Sequence, residues 1–326
     1  MHTSGAGGSN PIPSDITRHQ YAQDNILQNY ELYIPELSSS HLANAQGPEY
    51  WILYVHGGYL RDPTVTSSSF HPALNQLVSS HQFSDIRPHV AGYVSIDYRL
   101  SPHPNHPQDP DTTSKYELRD AEWPDHLEDV VRAIAHLQQN YGFGRRYLLV
   151  GHSVGATMAL LAILTTLPAG VDVDIEPPMV VLGVCGIYDF PRLHSVFPEY
   201  QELTTNAIPN EEDQRKASPA LYPKATYEEA WLRGEDDKDK GERGKRKRTA
   251  VLAHSRSDGL VDWSQVEVMK GVLDAHQDGG DGETGGIDVR LLEIKGAHDE
   301  VWAQGDELAK AVAQAVKEMI KLEQEK

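Results

Sequence analysis

The eighteen residues from Tyr147 to Leu164, YLLVGHSVGATMALLAIL, constrain this chain more than any other stretch. An unbroken apolar run stops at Gly151-His152-Ser153-Val154-Gly155, and a second apolar run follows at helical spacing. The first predicts a buried strand over 146–151, the second a helix over 154–167. So sharp a turn is crowded, and the positions two before and two after the serine must be small, as Gly151 and Gly155 are. The turn lifts Ser153 off the strand's carboxyl edge and leaves the Val154 N–H at a helix N-terminus, where positive potential gathers. A serine hydroxyl is a weak nucleophile until a base takes its proton and the oxyanion is stabilised. The alternative is a tight Gly-Ser turn without chemistry.

Similar units recur along the chain. YWILYVHGG (50–58) and HVAGYVSIDYRL (89–100) are apolar runs suited to buried strands, and ILQNYELYIPEL alternates like a half-buried edge strand. Leu127, Val130, Val131, Ile134 and Leu137 make a helical stripe that stops near Gly142. Strand–helix units follow at 179–187 with an ill-defined helical region, at 249–255 with 263–276, and at the end as IDVRLLEIKG with DELAKAVAQAVKEMIKLEQ. Strands alternating with helices predict an α/β fold: one mostly parallel sheet covered on both faces. Residues 1–25 are expected to be a flexible lead-in, residues 26–326 one domain, and 233–248 and 274–287 solvated insertions.

Charge narrows the partners. With 29 Lys and Arg against 48 Asp and Glu the net charge is −19, a surface that repels nucleic-acid phosphates and anionic lipid. The start of the chain lacks a signal-peptide core, and no apolar run reaches the ~18 residues of a membrane span, so a cytoplasmic protein is expected. The single cysteine, Cys185, excludes an internal disulfide and a cysteine-built metal site and reads as a small buried hydrophobe. No metal or cofactor is implied.

A second motif accompanies the serine. The strand over 50–55 opens into His56-Gly57-Gly58-Tyr59-Leu60, whose glycines let backbone N–H groups approach a ligand unobstructed. Of the acids that follow the serine, Asp258 falls in the loop after the 249–255 strand, Asp262 is placed to cap the next helix, and Asp189 follows the 179–187 strand. His298 stands between the last strand and the last helix, on the edge that carries Ser153 and Asp258. His152 lies inside the turn, His254 within its strand, and His103 and His106 in a proline loop. In this arrangement Ser153 attacks, His298 moves the proton, Asp258 orients the imidazole, and the N–H groups of Gly57, Gly58 and Val154 receive the oxyanion.

With these residues in hand the chain resembles the α/β-hydrolase superfamily, in its esterase branch with the His-Gly-Gly turn, and within it the fungal-type kynurenine formamidases (arylformamidases). HGGYLRDP, SIDYRLSP, WPDHLEDVVRAI, VGHSVGATMAL, CGIYDFPRL and GAHDEVW carry the likeness, which spans about residues 48–320. It implies hydrolysis of N-formyl-L-kynurenine to L-kynurenine and formate, in tryptophan breakdown toward NAD, by a homodimer whose triad falls on Ser153, Asp258 and His298. The family turn usually reads H-G-G-x-W, and Leu60 replaces that tryptophan here. Tyr59 and Trp302 are candidates for an aromatic slot. Arg61 is a candidate for the substrate carboxylate, beside the alternative of an ordinary surface arginine. A general carboxylesterase and a non-catalytic binding protein of the same fold are the rival readings.

Overall fold

The computed structural model describes residues 13, 15–36, 49–164, 173–223, 226, 227, 229, 230, 248–274 and 287–325. In chain order the elements are β1 (Thr17–Gln20), β2 (Asn29–Tyr33), β3 (Tyr50–Val55), α1 (His71–Ser79), β4 (Val90–Ile96), α2 (Asp125–Tyr141), β5 (Tyr147–His152), α3 (Val154–Leu164), β6 (Val180–Val184), α4 (Phe190–Val196), α5 (Tyr200–Ala207), α6 (Glu211–Lys216), β7 (Arg248–Ser255), α7 (Ser264–Asp274), β8 (Ile287–Ile294), α8 (His298–Gln304) and α9 (Asp306–Gln324). The strands form one sheet in the order β1-β2-β4-β3-β5-β6-β7-β8. β2 runs antiparallel to both its neighbours, and β4 through β8 pair in parallel.

Period-two alternation sends the strand side chains to two cores. Trp51, Leu53 and Val55 pack with α2, α3 and α7, whereas Tyr50, Ile52 and Tyr54 pack with α1 and α9. Every residue of α3 is buried, because β5 and β6 lie on one side of it and α2 on another. That explains a helix without a polar face.

Parallel pairing also sets the site. Gly151 lies opposite Val55 and Gly183, Val184 opposite Ala253, and Ser255 opposite Ile294. The loops that leave β3, β5, β6, β7 and β8 therefore emerge along a single edge.

Several sequence-based boundaries need correction. Within the expected lead-in of residues 1–25, Thr17–Gln20 form β1, the outermost strand, so the 26–37 segment supplies not an edge strand but β2. All four β1 residues are exposed, so the strand is held by backbone pairing and carries no apolar pattern to read. Arg248, assigned to the end of an insertion, opens β7 and is buried, its Nη1 donating to the carbonyls of Pro177 and Pro178 at 2.8 Å each. Asp274 closes α7 and Ile287 opens β8. The rest of both insertions, 233–247 and 275–286, and residues 165–167 of the expected helix lie outside the described residues. The ill-defined region after β6 resolves into α4, α5 and α6, three helices too short to show a periodic stripe.

Candidate active site

Ser153 sits between β5 and α3 with φ 57°, the left-handed backbone that non-glycine residues rarely adopt. The strain is held by its neighbours: the Ser153 N–H donates to the Val184 carbonyl at 2.9 Å, and its carbonyl accepts from Ala156 at 3.0 Å. A Cβ on Gly151 would overlap the Gly155 carbonyl, and one on Gly155 would overlap the carbonyls of Val55 and His56. The small residues thus let the turn close and press it against the end of β3. There a Cβ on Gly57 would stand 3.0 Å from the Ser153 Cβ, which brings the two sequence motifs together.

His298 opens α8 and is 6% exposed, its Nδ1 2.8 Å from Asp258 Oδ2. Asp258 Oδ1 accepts the N–H groups of Leu260 and Val261, each at 2.9 Å. Burial opposes the charge on Asp258, but the His298 bond and charge and these two amides outweigh it and hold the carboxyl below its ordinary range. The turn before His298 is pinned by the Ser255 hydroxyl, which donates to the Gly296 carbonyl at 2.6 Å, and by Glu300, which accepts the Ala297 N–H at 2.8 Å. His152 joins the two sides: its Nε2 hydrogen meets the His298 carbonyl at 3.2 Å and its ring lies 4.7 Å from the His298 ring. Burial, then the His298 charge, pushes the His152 pKa well down, so His152 acts as a neutral donor. The Ser153 hydroxyl itself makes no hydrogen bond among the described residues. Nucleophile–base pairs are often looser before the acyl group arrives.

The His-Gly-Gly turn is strained as well. Gly58, Tyr59 and Leu60 have φ of 85°, 51° and 64°. Its braces come from Asp97 and Tyr98, inside the SIDYRLSP segment. Tyr98 stacks on the His56 ring (4.3 Å between centroids, 14° between planes) and directs its hydroxyl at the Gly57 and His56 carbonyls, 2.8 and 3.1 Å away. Asp97 lies 3.4 Å from His56 Nε2 and accepts the Ser67 N–H at 2.6 Å. With the carbonyls held, the N–H groups of Gly57 and Gly58 have no hydrogen-bond partner among the described residues. Leu60, in place of the family tryptophan, is buried in the core that includes α2 and α3.

The other candidates separate cleanly. Asp189 caps α4, accepting the Arg192 N–H at 3.0 Å, and Asp262 accepts the Ser264 N–H at 2.8 Å at the start of α7. Gln265 ties the loop after β6 to α7, its Oε1 accepting from Tyr188 and Asp189. His254 lies next to the end of β7 with its Nε2 donating to the Val261 carbonyl at 3.0 Å. His103 and His106 line a surface cavity together with Arg61. Tyr59 meets Phe190 and Tyr200 edge to face, at 6.4 and 5.7 Å, and forms an aromatic wall. Trp302 joins the core on the α1 and α9 side instead, so the two proposed slot residues do not meet.

Cys185, φ 48°, is fully buried as expected, but it is more than a filler. Burial, the Asp258 charge and the hydrogen bond its thiol gives Asp258 push its pKa well up. His152, Cys185 and His298 bring one ligating atom each within 4.8 Å of one another, and each imidazole uses one of its two nitrogens in the bonds above. Sequence reasoning missed Asp97, Tyr98, Ser255 and the thiol contact. SIDYRLSP was the one available signal, because it runs from the end of β4, the strand beside β3, into the loop that follows.

A mostly parallel sheet with a serine on a left-handed strand-to-helix turn, and a histidine–carboxylate pair on loops of the same sheet edge, is the arrangement of the α/β-hydrolases. The chain belongs to that family: the model of the Alpha/beta hydrolase family matches residues 52–315. Within it the chain groups with the kynurenine formamidases. It is 31% identical over 294 residues to a kynurenine formamidase-like hydrolase of Fusarium equiseti, covering 89% of each chain. It is 30% identical over 273 residues to a kynurenine formamidase of Aspergillus versicolor, covering 78% of this chain and 84% of that one. A Saccharomyces cerevisiae kynurenine formamidase is 27% identical over 270 residues, with the same coverage. Among solved structures, esterase B from Lactobacillus Rhamnosis aligns with a TM-score of 0.60 at 15% identity over 97% of this chain and 89% of that one. A carbohydrate esterase from gut microbiota aligns at 0.57 with 16% identity, covering 95% and 99%. At such identities these two show the shared fold.

Proposed function

We propose that this chain is a serine hydrolase that cleaves the formamide of N-formyl-L-kynurenine, giving L-kynurenine and formate in tryptophan catabolism. The observation that carries the reading is the 2.8 Å bond between His298 and Asp258 beside the strained Ser153 turn, in a chain whose relatives bear the kynurenine formamidase name.

His298 Nδ1 donates to Asp258, which leaves Nε2 as the base. Nε2 takes the Ser153 Oγ proton as Oγ attacks the formyl carbon. The carbonyl oxygen becomes an oxyanion facing the N–H groups of Gly57, Gly58 and Val154. His298 then gives that proton to the aryl-amine nitrogen, the C–N bond breaks, and a formyl ester remains on Ser153. Water, deprotonated by the same imidazole, hydrolyses the ester and releases formate. A formyl group asks for almost no acyl pocket, so specificity falls on the leaving group, and the Tyr59, Phe190 and Tyr200 wall offers its ring an apolar surface.

The same reading carries a homodimer and a cytoplasmic location. No helix among the described residues is long and apolar enough to cross a membrane. Light scattering on the purified chain tests the dimer. Formate release from N-formyl-L-kynurenine, measured beside a nitrophenyl ester of similar size, tests the activity. A strong ester preference makes the chain a general carboxylesterase instead.

A further inference from the structure

Beside the His-Gly-Gly turn lies a cavity of about 580 Å³ lined by Arg61, His103, His106, Arg119, Asp120 and Glu202, among others. Two of these charges stand out. Arg61 is only 9% exposed, and its guanidinium makes no hydrogen bond or ion pair among the described residues. The adjacent Asp62 makes no ion pair with it, and its Oδ1 accepts instead from the Thr64 N–H and hydroxyl at 2.8 and 2.7 Å. Burial depresses the Arg61 pKa, with the charges of Tyr59, Asp62 and Glu202 acting the other way. Glu202 is exposed and likewise unpaired among the described residues. Arg119, by contrast, is engaged, with its Nη2 donating to the His106 carbonyl at 2.6 Å.

Arg61 thus keeps an unpaired guanidinium at the wall of a cavity, where the carboxylate of a ligand would complete it. Here a carboxylate lines the same cavity without reaching it, an arrangement that suits a ligand carrying both charges. The cavity also adjoins the proposed chemistry. The Arg61 N–H donates to the Gly58 carbonyl at 3.0 Å and so closes the turn that carries the oxyanion amides. α5 supplies Tyr200 to the aromatic wall and Glu202 to the cavity.

We propose that Arg61 and Glu202 read an α-amino-acid head group on the leaving side of the substrate, Arg61 taking the carboxylate and Glu202 the ammonium, while the aryl ring lies along Tyr59. The inference rests on the formamidase reading and says which arylformamides the site prefers: zwitterionic ones.

The test compares kcat/KM for N-formyl-L-kynurenine and for formanilide, which lacks the head group, in wild type, Arg61→Met and Glu202→Gln. Arg61→Met should lower the ratio of the two by about 10- to 100-fold, the loss of one charge-assisted bidentate contact. Glu202→Gln should lower it by about 3- to 10-fold. A ratio within twofold of wild type in Arg61→Met overturns the inference, and because it is a ratio, general damage to the fold cancels. Calorimetric titration with L-kynurenine reads the cavity without turnover: wild type should bind, and Arg61→Met should bind at least ~10-fold more weakly. Equal binding, or none by wild type, also overturns it. If wild type hydrolyses neither formamide, the formamidase reading fails, and the titration alone decides whether the head-group site exists.

Discussion

His152 gives its Nε2 hydrogen to the backbone carbonyl of His298 at 3.2 Å, so the residue before Ser153 holds the loop that carries the proposed base. The residue between Gly151 and Ser153 is therefore a positioning group. His152→Phe keeps a ring at that place but leaves the His298 carbonyl without its donor. We expect kcat for formate release to fall about 10- to 100-fold with KM within threefold of wild type. An unchanged kcat in a variant with normal melting would remove His152 from the machinery.

The triad acts as a unit in the proposed mechanism. Ser153→Ala and His298→Ala should each lower kcat by about 10⁴ to 10⁶, and the double variant should be little worse than either. Circular dichroism should stay native in all three. Labelling by an organophosphonate should occur in wild type alone. Near-normal turnover in both single variants contradicts the assignment.

Tyr98 is the least expected member of the site, since its hydroxyl works on a carbonyl and not on substrate. In Tyr98→Phe the ring still stacks on His56, while the Gly57 carbonyl loses its shorter bond and keeps only the 3.0 Å contact with His56 Nδ1, which loosens its peptide plane. kcat should drop about tenfold or more, and the ester and formamide reactions should suffer alike, because both pass through an oxyanion. Selective loss on one substrate would place Tyr98 in recognition instead.

Acid should weaken the β1–β2 edge in a predictable way. Glu31 meets Arg18 Nη2 and His71 Nε2, each at 2.7 Å. Burial alone would raise its pKa, but the bonds and charges of His71 and Arg18 lower it from 4.5 to about 2. A depressed carboxyl stabilises the fold above its unfolded pKa, and that contribution is lost as pH falls through the folded value. Urea unfolding of Glu31→Gln should therefore show lower stability than wild type at pH 6, with the gap narrowing between pH 4.5 and about 2. A gap that widens in acid would refute the sign.

How much of this was legible beforehand follows from which forces leave a local trace. Gly151 and Gly155 announced the elbow, because a crowded turn must exclude Cβ atoms within five residues of chain. The apolar runs of β3 and β5 were readable, since strands covered on both faces cannot afford polar residues. Asp258 was preferred for its place in a loop and Asp262 was read as a helix cap, as its bond to Ser264 shows it to be, while Asp189 also serves a helix start. What failed were features defined by distant partners. β1 has no buried side chain, Arg248 is a buried cation whose Nη1 is held by carbonyls some seventy residues back, and Tyr98 serves a turn forty residues earlier. None of these leaves a periodic signature.

The raised pKa of Cys185 has a consequence for life under oxidants. Thiolates attack peroxides and disulfides, and a thiol held protonated against a carboxylate, with no exposed surface, offers them almost no thiolate. Sulfur thus stands within a few ångströms of the imidazoles without becoming the site's vulnerable point, so a redox burst that silences thiol-dependent hydrolases should pass this one by.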